Sequence, residues 1–152
     1  MTALVSLADY GGTPQQLEGQ FIPTKFAAVT LNSASGTTPQ NMLVVPADKY
    51  VFVTGIQITI DPIATLGAAG MELISIADSV DGNIATLRAY IPASAASPAI
   101  PTVIRQTSAP GAFWASSQKG TTIAASLSVA LTAASVRISF HYGFTNKLIG
   151  NN

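Results

Sequence analysis

Residues 50–61, Tyr-Val-Phe-Val-Thr-Gly-Ile-Gln-Ile-Thr-Ile-Asp, constrain the fold more than any other stretch of the chain. Taken at a period of two, one face carries Tyr50, Phe52, Thr54, Ile56, Ile58 and Ile60, and the other Val51, Val53, Gly55, Gln57, Thr59 and Asp61. The first face is almost wholly apolar. The second is apolar as far as Val53 and polar beyond Gly55, which implies a strand that leaves a covered region there and runs out to solvent or a sheet edge. Twelve residues at about 3.3 Å each extend roughly 40 Å, so this strand is expected to set the height of the sheets.

The rest of the chain supplies partners for it. Strand patterns recur at 21–31, with Pro23 confining the start to an edge or bend, and at 41–45, 71–77, 84–91, 102–106, 113–116, 121–131 and 136–142. Residues 121–131 put Ile123, Ala125, Leu127, Val129 and Leu131 on one face and small residues on the other. Residues 136–142 put Val136, Ile138, Phe140 and Tyr142 inward and Arg137, Ser139 and His141 outward. Between them lie turn formers: residues 32–39, Pro46 to Lys49, the 63–70 connection with room for one helical turn, the Pro-spaced segment 92–101, Ala109-Pro110-Gly111 and Gln118 to Gly120. Asp78-Ser-Val-Asp-Gly-Asn83 has the composition of a tight hairpin turn, Asp-Gly supplying the positive φ. The Ala-rich stretches interleave Thr, Val, Ser and Ile at period two, which favours strand over helix. The expected fold class is all-β, an antiparallel β-sandwich or jelly roll of about eight strands over residues 21–145. Residues 1–20 hold neither period and are expected to form an extended N-terminal arm, either ordered on a neighbouring subunit or frayed; residues 146–152 form a C-terminal tail.

Composition bears on partners. With 152 residues and 48% hydrophobic content the chain can fill one core, yet only 9% of it is charged and its seven basic residues balance its seven acidic ones. Ordinary soluble domains carry about 25% charged residues, and low net charge favours association. Either other chains cover much of the surface, or a neutral coat of Ser, Thr, Asn and Gln keeps a monomer in solution. The basic residues are scattered singly, which argues against nucleic acid as a partner. There is no cysteine, so disulfides and thiolate metal sites are excluded. The N-terminus lacks a basic leader and no stretch approaches a membrane span, so no membrane partner is expected.

No motif announces catalysis. His141, beside Arg137, is the sole histidine; as a general base it lacks a neighbouring carboxylate or nucleophile in sequence, and it reads as a surface or interface residue. Asp78, Asp81 and Asn83 form either a turn or the start of a calcium loop, which needs more oxygen ligands than these three. Paired carboxylates for glycoside hydrolysis would have to come from Asp9, Glu18, Asp48, Asp61 and Glu72, and nothing marks a pair among them. Gly11-Gly12 lacks the preceding strand and the following Lys-Ser/Thr of a phosphate loop. Phe113-Trp114 is a sugar-stacking platform, an interface anchor or half-buried edge packing. No catalytic, cofactor-binding or metal site is assigned, no cofactor is expected, and the chain is not expected to be an enzyme.

Two segments carry a resemblance: Val44-Val-Pro-Ala-Asp-Lys-Tyr-Val-Phe-Val-Thr-Gly-Ile56, and Lys119-Gly-Thr-Thr-Ile123 followed by Leu131-Thr-Ala-Ala-Ser-Val-Arg-Ile-Ser-Phe-His-Tyr142. In strand rhythm and turn chemistry, over about residues 40–145, the chain resembles the jelly-roll capsid decoration (cement) proteins of tailed bacteriophages. The resemblance implies a homo-oligomer, a trimer favoured, made in the host cytoplasm and bound to the major capsid protein on the virion surface, where it bridges capsid subunits. The alternative from a different class is a carbohydrate-binding or receptor-binding head spike or tail module, with Trp114, Tyr90 and polar loop residues forming a shallow sugar site.

Overall fold

The computed structural model describes residues 25–95, 99–107 and 112–148. The arm expected over 1–20, the start of the first expected strand, the Ala109-Pro110-Gly111 turn and the end of the tail lie outside these. The described residues form eleven strands and no helix: β1 Lys25–Asn32, β2 Gln40–Val44, β3 Tyr50–Ile60, β4 Thr65–Leu66, β5 Gly70–Asp78, β6 Gly82–Ile91, β7 Thr102–Thr107, β8 Trp114–Ala115, β9 Thr122–Leu127, β10 Leu131–Ala133 and β11 Ser135–Thr145.

All the strand pairs are antiparallel. The first sheet runs β1-β11-β3-β7, with β8 beside the other half of β3; the second runs β2-β9-β5-β6; β4 and β10 make a separate two-stranded ribbon. The connectivity follows from one nested pattern. The hairpin β5–β6 is the tip, and working outward along the chain β3 pairs β7, β2 pairs β9 and β1 pairs β11, the successive pairs alternating between the two sheets. A long antiparallel ribbon rolled up in this way is a jelly roll, and the fold is an all-β sandwich of that kind.

Alternation fills the space between the sheets. Ile56, Ile58 and Ile60 of β3, Val136, Ile138 and Phe140 of β11, Ile74 and Ile76 of β5, Ile123, Ala125 and Leu127 of β9 and Leu31 of β1 are all buried in one cluster. The inward and outward sets of the last strand are those read from its sequence, Tyr142 being buried and Arg137 and His141 exposed.

β3 departs from the reading at its midpoint. Its register against β11 slips between His141 and Tyr142: His141 faces Gly55, Tyr142 faces Val53, and Thr54 is left over. This β-bulge swaps the faces, so the inward set is Val51, Val53, Ile56, Ile58 and Ile60, and Phe52 turns outward. The apolar start of the second face is thus core and not a covered patch outside it. Phe52 nevertheless stays buried, and a Cβ at Gly143, its neighbour across the ladder, would collide with its ring.

Two other readings change. The strand expected over 121–131 breaks at Ser128–Ala130 into β9 and β10, so Val129 is exposed while Leu131 is buried. The 63–70 connection holds the ribbon strand β4 after a turn in which the Ala64 amide donates to the Asp61 carbonyl at 2.9 Å. The Asp78–Asn83 hairpin is as expected: a three-residue loop closed by Gly82 at φ 79°, a conformation an L side chain resists.

Candidate functional site

The outer face of the first sheet gathers polar side chains in cross-strand rows. One row sets Phe26, His141 and Gly55 side by side; the next sets Ala28, Ser139, Gln57 and Arg105; the third sets Thr30, Arg137, Thr59 and Val103. Alternation on β1, β11, β3 and β7 dictates this, given the bulge at Thr54 that puts Gly55 and Gln57 outward. The missing side chain at Gly55 leaves a gap in the first row. There Gly55, Ile56, Gln57, Arg105 and His141 line an open concavity of about 210 Å³.

Its polar groups are partly oriented. Arg105 Nε donates to Gln57 Oε1 at 2.9 Å, and Gln57 Nε2 donates to Thr59 Oγ1 at 3.4 Å. Phe26 stands edge-on to the His141 ring, their centroids 5.5 Å apart. Within the paired strands of this face no carboxylate stands among the described residues, Asp61 following just past the end of β3, so Arg105 and Arg137 give its middle a positive charge.

The outer face of the second sheet is of another kind. Ser75 lies between Ser126 and Thr86, Ala77 beside Ala124, Val44 beside Thr122, and Leu73 beside Arg88, the sole charged residue on that face among the described ones. At one end Met71 and Tyr90 face each other, both more than half exposed. Small uncharged residues make the middle of this face flat.

The carboxylates considered from sequence serve turns. Asp61 Oδ1 accepts from the Ile63 amide at 3.0 Å. Exposed Asp48 pairs with Lys49 at 3.1 Å, and that hydrogen bond holds its carboxyl below the usual range. Glu72 is fully buried, and its Oε1 accepts from the amides of Ser128 at 2.5 Å and Val129 at 3.1 Å and from Ser128 Oγ at 3.0 Å. Asp9, Glu18 and the Gly11-Gly12 pair lie outside the described residues. Asp78, Asp81 and Asn83 diverge: Asp78 Oδ1 accepts from the Val80 and Asp81 amides at 2.8 and 3.0 Å, Asp81 from the amide and hydroxyl of Ser117, and Asn83 from Thr86 Oγ1. Among the described residues no three His, Asp or Glu side chains converge as a metal site requires.

The structure does not bring the two aromatic residues of the sugar-site reading together. Trp114 pairs with Val53 at the end of the sandwich that carries the β5–β6 turn, half-buried against the core with Phe113. Tyr90 belongs to the other sheet and stands next to Ile91, at the opposite end of β6 from that turn. The residues that line the concavity instead, Gln57 and Arg105, went unnoticed in the sequence as a pair. Gln57 carried a signal, an outward polar residue on an apolar strand, but its pairing with β7 spans 48 positions and no local pattern reveals it.

No protein-family profile and no curated protein matches this sequence. Among solved structures, one described as "CBM4 structure and function" is similar to this chain at a TM-score of 0.32 and 10% identity, over 78% of this chain and 73% of that one.

Proposed function

We propose that this protein is a virion structural protein, a decoration or cement protein that binds the outer surface of an icosahedral phage head and bridges copies of the major capsid protein. The observation that carries the reading is the flat, nearly uncharged outer face of the second sheet, with Ala77, Ala124, Ser75 and Ser126 at its centre and exposed Met71, Tyr90 and Val44 toward its rims. Such a face desolvates at little cost, and small side chains let another surface approach closely. A jelly roll with both sheets locked by a common core supplies the stiff body, and homo-oligomers, a trimer in the favoured case, repeat a weak contact until it becomes strong. Residues 1–20 are the segment proposed to reach a neighbouring subunit.

The test is the position of the chain in purified particles, by labelling and by density on the shell. Outer-shell occupancy, reduced when residues 1–20 are deleted, is the expected result. Absence of the chain from the particle would sink the reading, and unchanged occupancy after the deletion would remove the arm from it.

A second reading, a carbohydrate-binding or receptor-binding module, is favoured by one observation: the concavity over Gly55, walled by Arg105, Gln57 and His141. Binding of glycans by the intact chain, lost on substitution at Arg105, would support it.

A further inference from the structure

We propose that the concavity over Gly55 is a carboxylate-binding subsite that accepts one acidic sugar unit, with Arg105 taking the carboxylate and His141 the adjoining hydroxyls. The proposal rests on the second reading above and is independent of whether the chain decorates a capsid.

Three features carry it. Arg105 is oriented: its Nε is held by Gln57 Oε1 at 2.9 Å, and its two terminal nitrogens have no hydrogen-bond partner among the described residues. A guanidinium fixed in this way presents a planar pair of donors, the geometry that a carboxylate meets with two parallel bonds. The charge is locally positive, because Arg137 stands on the same face and no acid stands beside Arg105 in the paired strands among the described residues, Asp61 lying past the far end of β3. Finally, the hollow is compact. Gly55 removes one side chain from the row while Gln57, Arg105 and His141 flank the gap, and about 210 Å³ suits a single ring better than an extended ligand.

A carboxylate can also come from an acidic peptide, and the geometry favours the sugar. Strand β3 is paired along this half by β11 on one side and β7 on the other, so the open main chain is that of the outer edge of β7, and a peptide lying over Gly55 itself has none to pair with. It would meet side chains alone. A pyranose carboxylate needs no more than that: the His141 imidazole has no hydrogen bond to another described side chain, is exposed, and is steadied by Phe26, while its carbonyl accepts from Thr54 Oγ1 at 3.5 Å. One ring nitrogen can donate to a hydroxyl and the other accept from one.

The experiment is amide NMR titration of the full chain with methyl glucuronide, methyl glucoside and N-acetylglutamate amide, repeated with Arg105→Gln and Arg105→Lys. The expected result is that the glucuronide shifts the amides of Gly55, Gln57 and His141, and that the glucoside binds at least about tenfold more weakly. Arg105→Gln should abolish that difference, and Arg105→Lys should recover only part of it, a lysine being a point charge without the fork. Unchanged shifts elsewhere in the spectrum establish that the variants are folded. Equal binding of glucuronide and glucoside overturns the carboxylate subsite and leaves the carbohydrate reading standing. Equal binding of N-acetylglutamate amide and glucuronide overturns the sugar in favour of an acidic peptide. No response to either sugar overturns both the subsite and the second reading.

Discussion

Glu72 is a carboxylate placed where alternation alone would put an isoleucine. It shares the inward face of β5 with Ile74 and Ile76, and its counterpart at the far end of that face is buried Asp78. Each acid serves a turn at its own end of the sandwich: Glu72 takes the amides of Ser128 and Val129, and Asp78 those of Val80 and Asp81. Burial strengthens these bonds and makes their loss costly. Glu72→Ala should therefore destabilise the fold by about 1–3 kcal/mol, read from the urea midpoint, with faster hydrogen exchange at Val129. A second residue fixes an alkaline limit. Burial raises the Tyr142 phenol above its ordinary value of 10.0. The folded state therefore holds that proton more tightly than the unfolded one, so the associated stability is complete below the ordinary value and lost as pH climbs through the raised one. Stability should fall as pH rises beyond the ordinary phenol value, and Tyr142→Phe, which keeps the edge-on contacts with Phe140 and Phe144, should flatten that fall in denaturant titrations.

At the level of the element, β3 is two half-strands of opposite parity joined at Thr54. Reading residues 50–61 at an unbroken period of two located the strand but misassigned the side chains of residues 50–53, since alternation before the bulge is offset by one residue from alternation after it. Removing the extra residue restores a continuous pattern: with Thr54 gone, Val51, Val53, Ile56, Ile58 and Ile60 still face the core. Deletion of Thr54 should therefore leave a folded protein, at a cost of about 1–2 kcal/mol, whereas deletion of Gln57 turns one half of the strand inside out and should leave none. Thermal unfolding followed by circular dichroism distinguishes them. The same logic explains which elements were legible. β11 has no bulge of its own, and its inward and outward sets could be read directly. The break after Leu127 could not, because the carboxylate that takes the Ser128 and Val129 amides there is Glu72, 56 positions away from Ser128. The concavity over Gly55 was illegible for a related reason: it exists only where β11, β3 and β7 meet.

For the whole molecule, nested pairing sets two unlike surfaces back to back. The first sheet turns out Arg105, Arg137 and His141, and the second turns out alanine, serine and threonine around a single arginine. The low charge of the sequence is thus unevenly spread, and the second sheet takes the apolar share. If that surface is what adheres to a shell or to sister copies, a charge at its centre should separate assembly from folding. Ala124 is suited to the test, being half-buried, outward-facing and flanked across the strands by Ala77 and Asn41. A lysine there can stand clear of the sheet with its ammonium in water, so Ala124→Lys should change stability by no more than about 0.5 kcal/mol. Buried against a partner, the same ammonium must be desolvated, which is far more costly than any contact an alanine makes. The expected outcome is an unchanged melting temperature together with lost self-association in light scattering and lost particle occupancy. Retention of both assemblies with lysine at this position would show that the second sheet stays exposed to solvent in the assembled state, and the adhesive surface would have to be sought elsewhere on the molecule.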